Sequence, residues 1–220
     1  MTSEMTPALA TAAGGSAIAG DASGSTTRSP QRRPQIIPSG VLAMLIFVFT
    51  EIMFFTGLLS AFLITRASIG PGGWPPPNQP RLPVATTALN TAALLMSALV
   101  LFFAWRALRS SQRGTTAGNV SLRFGVAIVL GAAFLIGQGR EWVALLQEGL
   151  TLHSSVHGSF FYILVGCHGL HALCALLAMV WAFVRLRQQR LRSETLAAVS
   201  VFWYFVAGVW PFLYYQIYLS

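Results

Sequence analysis

Lysine is absent from this chain of 220 residues, and charged side chains of either sign make up only 9% of it. All fourteen basic residues are arginine, a bias that by itself points to no mechanism. The scarcity of charge does carry information. With 55% of the residues hydrophobic and a positive mean hydropathy, the composition excludes an ordinary water-soluble domain and describes a polytopic membrane protein. The formal charge of +8 raises the question of nucleic acid. The arginines cluster between apolar runs, so they form no basic face for a duplex, and no nucleic-acid partner is expected. Cysteine is also scarce. Cys167 and Cys174 lie two helical turns apart, about 10 Å along one segment, too far to pair with each other, and read as small packing residues.

Five apolar segments meet the length of about 20 residues needed to cross a bilayer: 41–65, 84–105, 124–146, 160–184 and 195–218. They predict an all-α membrane domain over residues 39–220. Residues 1–38, rich in Ala, Ser, Thr, Gly and Pro, have neither the aromatic content for a core nor the apolar stretch of a signal peptide, and are expected to be a disordered tail. The loop with Gly70, Pro71, Gly72, Gly73, Trp74, Pro75, Pro76, Pro77 and Pro80 cannot continue a helix. It is expected to be turn-rich, with Trp74 at the membrane interface.

Arginines near the span ends set an orientation. Arg28, Arg32, Arg33, Arg106, Arg109, Arg113, Arg123, Arg185, Arg187, Arg190 and Arg192 fall on one side, and Arg66, Arg81 and Arg140 on the other. The positive-inside rule therefore puts the N-terminus in the cytoplasm and, after an odd number of spans, the C-terminus outside.

Glu51 lies about halfway along the first span, roughly 15 Å into a hydrocarbon core about 30 Å thick. A bare carboxylate there costs on the order of 3 kcal/mol, so the group must be protonated, hydrogen-bonded or turned to other protein. The side chains on its own face, Phe47, Val48, Phe54, Phe55 and Leu58, are apolar, so its partner must come from another span. Two roles remain open for it: fixing the packing, or handling a proton.

The fourth span offers Cys167, His168 and His171, preceded by His157. His168 and His171, three residues apart, share a helix face and have the spacing to ligate a metal or a haem. Two imidazoles fill only half a tetrahedral site. The alternative is a pair of hydrogen-bonded histidines between helices, with Gly166 and Gly169 allowing close approach. The third span ends in Gly137-Gln138-Gly139-Arg140-Glu141-Trp142, where adjacent opposite charges point to different faces. Arg140 then meets a lipid phosphate while Glu141 turns inward, or both are interfacial anchors. Glu148 and His153 read as solvated loop residues.

Taken in order, Glu51-Ile52-Met53-Phe54-Phe55, Ser60-Ala61-Phe62, Trp74-Pro75-Pro76, Leu89-Asn90-Thr91, Gln138 with Glu141, His157-Gly158-Ser159-Phe160-Phe161, His168-Gly169-Leu170-His171, Phe202-Trp203-Tyr204-Phe205-Val206 and Val209-Trp210 resemble subunit III of the haem-copper oxidases, over about residues 38–219. The longer members have seven spans, and this chain resembles the five-span form that lacks the first two. The resemblance implies a V-shaped bundle, with spans one and two as one arm, spans three to five as the other, and phospholipid in the cleft between them. It implies that this chain binds no haem or copper, which belong to partner subunits I and II, and that His168 and His171 are structural. Arg66, Arg140, Glu141, His157, His168, His171, Trp74 and Tyr204 are then candidates for lipid contact or structural polar roles. Glu51 matches the family's carbodiimide-reactive carboxyl near the proton path. One motif departs: where the family has Trp-His-Phe-Val-Asp, this chain has Trp203-Tyr204-Phe205-Val206-Ala207, and the Tyr204 hydroxyl is the group left to replace a lost hydrogen bond. Pro211 is expected to kink the last span.

The function implied is that of a non-catalytic subunit of a proton-translocating terminal oxidase in the bacterial cytoplasmic membrane, serving a complex fed by cytochrome c, another donor protein or quinol. Two other readings are an accessory subunit of a nitric oxide reductase and an independent transporter or channel built around Glu51. Nitric oxide consumption by the purified complex would mark the first. Proton flux in liposomes holding this chain alone would mark the second, which the lack of an evident inverted repeat disfavours.

Overall fold

The computed structural model describes residues 39–69, 83–110, 117–151, 153 and 155–219. These form five helices: α1 (Ser39–Ile69), α2 (Val84–Ser110), α3 (Ala117–Gln147), α4 (Val156–Arg187) and α5 (Ser193–Tyr214). All five are long and apolar enough to cross a membrane, and no strand occurs among the described residues. Each contains the core of one span expected from the sequence, because backbone N–H and C=O groups in hydrocarbon must be bonded within the segment itself. The tail at 1–38 and the loop carrying Trp74 and Arg81 lie outside the described residues.

The helix ends have local causes. The Ser155 side chain caps α4 by accepting from Gly158 N at 3.0 Å. Gly149, at φ 89°, lets the chain turn out of α3 while Leu150 N donates back to Leu145 O at 3.0 Å. Tyr162 then fastens α4 to that turn through a 2.6 Å bond to Leu150 O. Pro211 sits inside α5 without ending it. Past Tyr214 the helix widens to an i→i+5 turn at Tyr215–Leu219.

α5 is the spine of the bundle. It buries a continuous set from Leu196 to Leu213, with Trp203 and Trp210 fully enclosed, and packs on α1, α2 and α4. α1 buries only Phe55 and Phe62 and exposes most of its apolar surface. Such exposure is expected where the surroundings are lipid or other protein.

The helices are grouped differently from the two arms expected from the resemblance. The most extensive packing is between α2 and α3, whereas α1 lies on α5 and α4. Two features draw α2 to α3. Ser97 Oγ donates to Ala127 O at 2.7 Å, and the Asn90 amide sits so close to Gly137 that a Cβ there would overlap it. α1 instead leans on α5 through aromatic edges, Phe55 on Phe205 and Phe47 on Phe202, with ring centroids 6.2 and 5.6 Å apart.

Gly166 and Gly169 do not play the close-approach role expected of them. A Cβ at 166 would be in ordinary contact with Trp142 at 3.6 Å, and one at 169 would meet nothing within 4 Å. Among the described helix glycines, those with no room for a side chain are Gly137 and Gly131, where a Cβ would come 2.6 Å from the Trp203 ring.

Candidate functional site

Glu51 finds its partner on α4. Its Oε2 lies 3.0 Å from Nε2 of His171, and the two side chains are 19% and 17% exposed. The other ring nitrogen fixes the proton count. Nδ1 of His171 is 2.7 Å from Cys167 O, a carbonyl that can only accept, so Nδ1 carries hydrogen. One proton then remains for the contact between Nε2 and Oε2. The pair is either carboxylic acid with neutral imidazole or carboxylate with imidazolium, and its net charge is zero in both. That neutrality meets the cost of placing an acid near the middle of a long apolar helix. Phe55, one turn after Glu51, covers the His171 ring edge-on at 5.3 Å.

His168 shares the α4 face but not the site. It is 1% exposed, tilted against Trp210 with centroids 4.9 Å apart and in edge contact with Phe134 and Phe55, and its Nε2 has no hydrogen-bond partner. Of the two histidines expected to be hydrogen-bonded between helices, His171 bonds through both ring nitrogens, whereas Nε2 of His168 faces no partner. Among the described residues no group of three or more His, Cys, Asp or Glu side chains is placed to hold a metal. His157, at the start of α4, is 5% exposed and lies within electrostatic reach of Arg66.

Beside the pair, a groove of about 500 Å³ runs between α1 and α5, lined by Ile52, Phe55, Thr56, Leu59, Phe205, Val209 and Phe212 with Tyr204. Its wall is almost wholly apolar. The Tyr204 hydroxyl is buried without a hydrogen-bond partner, so it does not replace the bonds lost with the family's His and Asp.

A second polar cluster joins α2, α3 and the C-terminal helix. Glu141 is buried and accepts from Asn90 Nδ2 at 3.3 Å, with Thr87 Oγ1 2.7 Å from its other oxygen. Trp210 Nε1 donates to Thr91 Oγ1 at 2.8 Å, and Gln138 Nε2 to the Tyr218 hydroxyl at 3.2 Å. Arg140, beside Glu141 in sequence, is exposed, about 100° around the helix from it. Residue-by-residue reading of the sequence missed Thr87 and Tyr218. The available signal was polar residues at helical spacing, Thr87, Asn90 and Thr91 facing Gln138 and Glu141, in spans otherwise apolar.

The chain as a whole resembles known proteins. The family model described as cytochrome c oxidase subunit III matches residues 26–220. The cytochrome c oxidase subunit 3 of Corynebacterium diphtheriae is 35% identical over 199 residues, covering 86% of this chain and 93% of the relative. A probable cytochrome c oxidase subunit 3 of Nocardia farcinica is 34% identical over 190 residues, covering 84% and 89%. The subunit 3 of Pelomedusa subrufa is 32% identical over 184 residues, covering 80% of this chain and 67% of its own. Five apolar helices, an acid near the middle of the first and a match that runs from before the first helix to the last residue lead to one assignment: the chain belongs to the cytochrome c oxidase subunit III family.

Proposed function

We propose that the chain is the non-catalytic third subunit of an oxygen-reducing haem-copper oxidase, docked on subunits I and II in a bacterial cytoplasmic membrane. The observation that carries this reading is the family match across residues 26–220. Haem and copper reside in the partner subunits, and electrons from cytochrome c, another donor protein or quinol pass through those partners. The N-terminus faces the cytoplasm, as the arginine distribution favours.

Within that complex Glu51 and His171 hold one proton at mid-depth. Because the proton moves between Oε2 and Nε2 without changing the charge of the pair, it is stored there without the penalty of an isolated ion. The pair's partial exposure leaves it able to exchange with a chain of water or side chains from a neighbouring subunit. The groove between α1 and α5 takes a phospholipid acyl chain. Its size, apolar wall and position on an otherwise exposed helix support that occupant.

The test is purification of the tagged chain from native membranes. Haem absorbance and oxygen consumption should co-purify with it, and phospholipid should be extractable. A colourless, stable chain isolated without partners would overturn the assignment, and nitric oxide consumption in place of oxygen consumption would move it to another enzyme.

A further inference from the structure

His171 offers its contact to Glu51 on a ring tied to its own helix by one bond, from Nδ1 to Cys167 O at 2.7 Å. That bond, to the carbonyl one turn back, fixes where Nδ1 sits and leaves the ring able to rock about it, since the last torsion of a histidine has a broad minimum. The direction of Nε2 is then set by what touches the ring. Phe55 meets it edge-on with centroids 5.3 Å apart, and Phe202 of α5 does the same at 6.4 Å, with interplanar angles of 68° and 72°. Both separations lie in the range where aromatic edges attract.

Phe202 is itself held. It is buried, and Phe47 packs against it edge-on with centroids 5.6 Å apart. Phe47, Glu51 and Phe55 stand four residues apart on α1, one above the next on a single face. Phe205, one turn after Phe202 on α5, meets Phe55 at 6.2 Å. α1 rests more extensively on α5 than on α4, although its hydrogen bond goes to α4. The separation of Glu51 from His171 is therefore governed by α5. Phe202 is an α5 side chain whose ring meets both partners, α1 at Phe47 and α4 at His171.

We propose that Phe202 is a positioning residue for the Glu51–His171 pair. Its ring holds the imidazole so that Nε2 points at Oε2, and through Phe47 it keeps α1 at the distance where that bond closes. It acts on Glu51 through His171. The geometric role follows from contacts within this chain, and its effect on proton uptake rests on the function proposed above.

The test is the rate at which an apolar carbodiimide modifies Glu51 in the purified oxidase complex, followed by mass spectrometry of the Glu51 peptide. A carboxyl oxygen released from its hydrogen bond is freer to add to the reagent. Phe202→Leu keeps an apolar side chain but removes the flat edge beside His171. It should raise the rate about threefold, the factor that an average hydrogen bond between membrane helices represents. Phe202→Tyr retains the edge and should react as wild type. In a His171→Leu background Phe202→Leu should add no further rise, whereas a residue that acts by packing alone would raise the rate in both backgrounds. If Phe202→Leu does not assemble, Phe47→Leu, a change at an exposed side chain, removes the ring behind Phe202 and should also raise the rate. Proton uptake should fall in Phe202→Leu. Where Glu51→Gln itself leaves uptake unchanged, it is the proton role that fails, and the labelling still decides the positioning. A wild-type labelling rate in the variant that assembles, or an equal rise with and without His171, overturns the proposal.

Discussion

Glu51 and His171 meet at 3.0 Å although 120 positions separate them in the chain, and the hydrogen bond from His171 Nδ1 to Cys167 O leaves a single proton between them. The acid in α1 and the imidazole in α4 therefore form one neutral unit.

Glu51→Gln preserves the contact, since an amide N–H donates to the free nitrogen of His171 while the titratable proton is lost. The oxidase complex should assemble with a Tm close to wild type and show reduced proton uptake in stopped-flow measurements. Glu51→Leu leaves Nε2 without a partner and should cost about 1 kcal/mol more than Gln. Equal uptake in wild type and Glu51→Gln would reduce the pair to a packing device.

His168→Leu removes the ring packed against Trp210 but no hydrogen bond at Nε2. The expected loss is about 1 kcal/mol, the scale of a buried aromatic pair. Elemental analysis of the complex should find its iron and copper unchanged, and a missing metal would restore the ligand role that the geometry withholds.

Gly137→Ala and Gly169→Ala are the same chemical change with opposite consequences. A Cβ at 137 overlaps the Asn90 amide and should destabilise the α2–α3 pair by about 1–3 kcal/mol. At 169 it enters open space and should be neutral, or stabilising by up to about 1 kcal/mol through helix propensity. Thermal unfolding of the two variants in one detergent compares them directly.

Trp210→Phe keeps the ring over His168 and deletes the donor to Thr91. A loss of about 0.6–2 kcal/mol is expected, the range measured for hydrogen bonds between membrane helices.

Tyr204→Phe should leave the Tm of the purified complex unchanged, because the hydroxyl it removes has no partner within the chain. A drop of several degrees would show that the hydroxyl is bonded after all.

The sequence by itself determined the five spans, the need of Glu51 for a partner on another helix and the family. Each follows from quantities summed along a single segment, such as length, hydropathy, the cost of a lone acid and the order of motifs. Tertiary structure alone decided that the partner is His171 and not His168, that α2 pairs with α3 and not with α1, and that Thr87 and Tyr218 join Glu141. α1 and α4 are apolar around nearly their whole circumference, so their sequences mark no face as inward. In a membrane, the facing surfaces are chosen by close approach at glycines such as Gly137 and by a few polar contacts between helices, and both depend on which neighbour the bundle supplies.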